Sequence, residues 1–184
     1  VRMDVESRIT SGGGDVLVTG QGGGTGVSEA NLGVHVANSS EITSTGSGTV
    51  TVSGTGGASS GNSNHGVLVA ADSAVTSDGT GSVTITGTGG ASSGDNNTGV
   101  YVFGTNATIT SGGGDVSVTG QGGGTGASAA NHGIVVVSAG EITAGSGGAV
   151  TVTGTGGASE GDWNDGVRMD VESRITSGGG DVLV

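Results

Sequence analysis

The side chains of this 184-residue chain that could move a proton or hold a metal are three histidines, His35, His65 and His132, and sixteen acidic residues. General acid–base chemistry needs such a group within hydrogen-bond reach of the proton it moves, and metal binding needs several that converge. His65 and His132 each follow an Asn, yet the periodicity set out below puts them two structural units apart, too far to share a ligand. No Ser, His and Asp set recurs, and no carboxylate pair does. With four arginines and no lysine, the basic residues of a polysaccharide-lyase cleft are missing. These residues predict a protein that is not an enzyme.

The loops Gly94-Asp95-Asn96-Asn97 and Gly161-Asp162-Trp163-Asn164-Asp165 offer oxygen atoms of the kind Ca²⁺ takes. The triple glycine before Asp15 and Asp115 departs from the calcium-binding nonapeptide, in which a residue separates the last Gly from the Asp. These loops read as solvated turns, so no cofactor is expected, with Ca²⁺ the one candidate. Asn38, Asn96 and Asn106 each open an Asn-x-Ser/Thr sequence, a weak glycosylation signal in a chain this rich in Ser and Thr.

A formal net charge of −12 argues against nucleic acid as a partner, because phosphate binding needs clustered Lys and Arg. It disfavours anionic membrane surfaces for the same reason. No apolar run approaches the roughly 20 residues of a spanning helix, so no membrane insertion is expected. The absence of cysteine leaves the redox compartment open. The chain opens on Val1 without a signal-peptide progression and reads as an excerpt of something longer.

What must position these residues is a repeat. Gly33, Gly66, Gly99, Gly133 and Gly166 align at spacings of 33, 33, 34 and 33, each followed by Val or Ile. Three apolar groups recur at near-constant offsets. The first is typified by Val34 and Val36, the second by the single Ile42, the third by Val50 and Val52, and the paired groups have the period-two spacing of strands. One unit has about five inward apolar side chains, too few for a core of its own. Stacked at ~4.8 Å, they become continuous columns. The prediction is an all-β parallel β-helix, or β-solenoid, with about 33 residues and three short strands per rung. It is one segment over residues 1–184 with about 5.5 rungs, starting near residues 1, 33, 66, 99, 133 and 166. Glycine clusters such as Gly12 to Gly14 and Gly22 to Gly24 are expected to form the corners, where positive φ suits them. A longer period lies above this one: residues 1–18 recur unchanged as 167–184, an offset of five units.

The repeat sorts the remaining residues. Asn31, Asn64, Asn97, Asn131 and Asn164 each stand two residues before the unit's Gly. They read either as a ladder of stacked amides holding left-handed corners, or as solvated turn residues copied by duplication. Arg8 aligns beside Glu41, and Glu141 beside Arg174, as opposite charges that mark register. Leu68, Tyr101, Phe103, Val135 and Val137 fall at outward positions of the first strand and predict an apolar patch for lateral contact. Thr and Ser rank along the outward third strand, but Asp15, Leu17, Asp115 and Asp181 interrupt the ranks. That weakens a comparison with ice-binding solenoids.

Gly-Val-x-Val, then Ile-Thr-Ser, then a Gly-rich turn and Val-Thr-Val-Thr-Gly-Thr-Gly-Gly resembles the repeats of large bacterial surface proteins, the filamentous-haemagglutinin-like and autotransporter-like adhesins. The resemblance covers the whole chain. It implies a right-handed β-helix that projects from the cell as an adhesive or structural stalk, hence an extracellular or cell-surface location. The near-identity of the units favours a fibre whose partner is itself, through a continuous chain, head-to-tail stacking or lateral contacts. The alternative is an adhesin that binds a host, matrix or carbohydrate ligand. An ice-binding face or a polysaccharide-active β-helix ranks behind both.

Overall fold

Val and Ile alternating with Thr and Ser build strands, because β-branched side chains suit a pleated surface and their restricted χ1 disfavours helix. The computed structural model describes residues 1–184 and contains strands and turns but no helix. The first rung holds β1 (Arg2–Met3), β2 (Arg8–Ser11) and β3 (Val16–Gln21), and the second β4 (Val34–Val36), β5 (Glu41–Ser44) and β6 (Val50–Thr55). The third holds β7 (Val67–Ala70), β8 (Ala74–Ser77) and β9 (Val83–Thr88), and the fourth β10 (Val100–Phe103), β11 (Thr108–Ser111) and β12 (Val116–Gln121). Then come β13 (Ile134–Val137), β14 (Glu141–Ala144) and β15 (Val150–Thr155), and last β16 (Val167–Met169), β17 (Arg174–Ser177) and β18 (Val182–Leu183).

Each strand pairs in parallel with its counterpart one rung away, giving three six-stranded sheets. The chain is a β-solenoid of about six coils with three strands per rung. Register puts like on like: Val67, Val100 and Ile134 are successive partners in the first sheet, Val75, Ile109 and Ile142 in the second, Ile85, Val118 and Val152 in the third. These columns meet inside in one cluster of 25 buried residues. The interior is thus shared between rungs, which is why a single rung could not bury it alone.

Of 105 backbone hydrogen bonds, 57 lie outside the strands, so the corners are laddered as well. Gly57, Gly90, Gly123 and Gly157 donate to the carbonyls of Asn31, Asn64, Asn97 and Asn131 on the preceding rung. The third corner folds back so tightly that a Cβ on Gly56 would collide with the Asn64 carbonyl, and one on Gly54 with that of Gly66. Glycine is required there by space.

One local feature differs from the sequence expectation, and the structure locates another that the sequence already shows. The first corner is not made by glycine: Val5 and Glu6 (φ 53° and 57°), Ala71 and Asp72 (47° and 59°), and Val171 and Glu172 (39° and 59°) hold the left-handed conformation. A left-handed β-branched residue carries strain, tolerated here because the ladder over-determines the turn. The second feature is the 34-residue spacing. Phe103 pairs with Ala70 in step, but Thr108 pairs with Ala74, so the extra residue sits in the turn at Gly104. Triple-glycine corners are also one residue shorter, since Ser11 pairs with Ser44 while Val16 pairs with Val50. Insertions are thus absorbed at corners and the strand register is kept.

Candidate functional site

The asparagines are brought into one column at the third corner. Asn64 Oδ1 accepts the backbone N–H of Asn31 at 3.1 Å and its Nδ2–H at 2.7 Å. Asn97 Oδ1 does the same for Asn64 (3.2 and 3.2 Å), Asn131 Oδ1 for Asn97 (3.0 and 2.9 Å), and Asn164 Oδ1 for Asn131 (2.9 and 3.2 Å). The remaining amide hydrogen turns inward along the loop, from Asn64 Nδ2 to Gly61 O at 2.7 Å and from Asn164 Nδ2 to Gly161 O at 2.6 Å. Asn64, Asn97 and Asn131 are fully buried. The left-handed position expected of these asparagines belongs instead to the residue before each, Ala30, Ser63, Asn96, Ala130 and Trp163. That φ turns the chain so that the Asn amide lies along the stack.

The charged pairs divide. Arg8 Nη1 lies 3.9 Å from Glu41 Oε2 on an exposed edge. Glu141 and Arg174 are register partners, but their side chains form no ion pair. Arg2 and Arg168 instead each pair with the acidic residue just past their own strand, Asp4 at 3.0 Å and Asp170 at 3.6 Å. The period-two spacing on an outward face was the sequence signal for these contacts.

The apolar positions of the first sheet do not form a flat open patch. Tyr101, Phe103, Val135 and Val137 floor a groove of about 410 Å³, while Leu68 lies outside it. Val135 is buried, flanked by its register partners Tyr101 and Arg168. The wall comes from the third corner, where His65, Thr98 and His132 occupy one position on successive rungs and line the groove beside the sheet. The His65 ring meets Tyr101 edge-on at 5.3 Å, and Tyr101 tilts against Phe103 at 5.8 Å. His65 Nδ1 accepts the Thr98 N–H at 3.2 Å, and His132 Nδ1 accepts the Asp165 N–H at 3.3 Å. The proton of each neutral ring therefore sits on Nε2. Burial holds the His65 pKa down to about 4, with a smaller contribution from His35. It lowers His132 too, although Asp165 pulls the other way, and it raises Tyr101. His35, also lowered by burial, leaves Nδ1 buried without a partner. The sequence placed His65 and His132 after the corner Asn but held no sign that they share a groove with the first sheet.

On the third sheet, Thr51, Thr84, Ser117 and Thr151 stand in register, as do Ser53, Thr86, Thr119 and Thr153. Asp15, Asp115 and Asp181 interrupt the column that Thr49 and Ser82 share just before the third strand, and Asp15 and Asp115 each cap the next rung: Asp15 Oδ1 accepts Thr49 N–H and its hydroxyl at 2.8 and 2.9 Å, and Asp115 Oδ1 accepts Ala149 N–H at 2.8 Å. Leu17 does interrupt a rank and is 74% exposed. Trp163 is also exposed, with the Arg168 guanidinium 5.8 Å from its ring centre. No group of three or more His, Asp and Glu side chains converges as a metal site, and no helix is long and apolar enough to cross a membrane.

Comparison of the chain with protein-family models, with curated proteins and with solved structures finds no match.

Proposed function

We propose that this solenoid is a length of shaft, a structural rod of stacked rungs in an extracellular fibre or cell-surface stalk. One observation carries the reading. The identical segments 1–18 and 167–184 occupy the same three sheets, with β16, β17 and β18 repeating β1, β2 and β3 five rungs on. Five rungs are therefore a translational period of about 24 Å at ~4.8 Å per rung, and the stack can continue with unchanged side-chain columns. The partner of such a rung is another rung, in the same chain or a second copy, because unpaired strand edges seek pairing. The surface location rests on the likeness of Gly-Val-x-Val and Val-Thr-Val-Thr-Gly-Thr-Gly-Gly to bacterial surface repeats.

Electron microscopy and fibre diffraction of native material test the proposal. The expected result is a filament with an axial reflection near ~4.8 Å. A compact monomer that turns over a polysaccharide would overturn it. A second reading, a binding module, draws on the groove floored by Tyr101 and Phe103.

A further inference from the structure

The groove over the first sheet has what a ligand site needs and a shaft does not. Its volume of about 410 Å³ falls in the range of small-molecule sites. His65 and His132 are 6% and 3% exposed, and in each the Nε2–H, the ring's only free donor, has no partner in the protein while the residue lines the cavity. With their Nδ1 atoms locked by backbone N–H groups, both rings are fixed before any ligand arrives. They stand two rungs apart, roughly 10 Å, with Thr98 between them, so the row of polar groups runs along the solenoid axis.

Three observations select the ligand's chemistry. The floor is aromatic and aliphatic, which suits a molecule with one apolar face. The wall pairs imidazole N–H donors with hydroxyls, and hydroxyls both give and accept hydrogen bonds, which suits a partner rich in hydroxyls itself. The charges at the groove's end neutralise each other, Arg168 with Asp170 at 3.6 Å, and the chain as a whole carries −12, so an anion is repelled. A peptide is disfavoured, because β10 and β13 are paired on both sides and leave no edge to which an extended chain could add.

Building on the binding-module reading, we propose that this groove binds a short neutral oligosaccharide along the solenoid axis, its apolar face on Tyr101 and Phe103 and its hydroxyls on His65, Thr98 and His132.

Tyr101 and Phe103 are the only Tyr and Phe in the chain, so their ring signals in NMR are unambiguous. The 184-residue chain is titrated with cellobiose, lactose and diacetylchitobiose, and with digalacturonic acid as the anionic counterpart. The expected result is a saturable shift of the Tyr101, Phe103, His65 and His132 ring signals with at least one neutral sugar and weaker binding of the acid. Tyr101→Ala or the more exposed Phe103→Ala should weaken that binding about tenfold. The proposal fails if no neutral sugar shifts these rings, if the acidic sugar binds better, or if both variants bind unchanged. Filament formation by the unaltered chain, read by electron microscopy, reports on the shaft separately, so either reading can fail alone.

Discussion

Asn97 Oδ1 takes two hydrogen bonds from one residue, Asn64, through its backbone N–H and its amide, both at 3.2 Å. A buried backbone donor of each rung is thereby satisfied by the side chain of the next, and the stack gains a polar spine beside its apolar columns. Buried polar groups are stabilising when every member is satisfied and costly when one is removed.

That asymmetry sets the first prediction. Asn97→Ala orphans two buried donors of Asn64 and should cost about 3 kcal/mol. Asn31→Ala should cost only about 1 kcal/mol, because Asn31 N–H keeps its acceptor on Asn64. Urea denaturation of the two variants measures the difference. Equal losses would mean the amides are ordinary turn residues.

The Val and Ile columns give the second. Ile109 is fully buried at the centre of the second sheet, between Val75 and Ile142. Ile109→Ala should cost about 2–5 kcal/mol through lost transfer free energy and the cavity left behind. Ile9 occupies the same column but is only partly buried, and Ile9→Ala should cost less. Thermal unfolding followed by circular dichroism ranks them.

The first corner supplies a stabilising change. Ala71 holds φ 47°, where a non-glycine side chain crowds the carbonyl that follows it. Ala71→Asn should raise stability by up to about 1 kcal/mol, since Asn tolerates that conformation best among residues with a side chain. A drop in melting temperature would show that the corner is less strained than its φ implies.

Acid should weaken the fold through His65. Burial holds its folded pKa at about 4, below the ordinary histidine value of 6.5, so the unfolded chain takes up the proton first as pH falls. Stability is then full above about pH 6.5 and lost progressively down to about pH 4. Protonation of Nδ1 also removes the acceptor of the Thr98 N–H. His132 and His35 are lowered too and act in the same direction. His65→Leu should flatten the profile of melting temperature against pH between these limits; an unchanged slope would assign the effect elsewhere.

Among the charge pairs, Arg8 and Glu41 should show a coupling of at most about 1 kcal/mol in a double-mutant cycle, vanishing in high salt. Glu141 and Arg174 should show none.

The rung, its three strands and their columns were legible in the residue pattern alone. Val and Ile at period two, repeated at a near-constant interval, allow one economical burial, and the recurring Asn can stack only if the rungs do. The side of each strand that faces inward was legible for the same reason: a one-residue slip would expose every Val. Tertiary structure decided what depends on how the coil closes. The φ of Ala30 and its equivalents, rather than of the Asn, aims the amides along the stack. His65 and His132 at the third corner line one groove with Tyr101, Phe103, Val135 and Val137, which the sequence read as a patch. Side-chain direction at the edge leaves Arg174 apart from Glu141 although their backbones pair. Repetition specifies which residues are neighbours, but where a corner side chain such as His65 comes to rest depends on contacts with other rungs, Tyr101 and Thr98 among them, and no single unit of the sequence contains these.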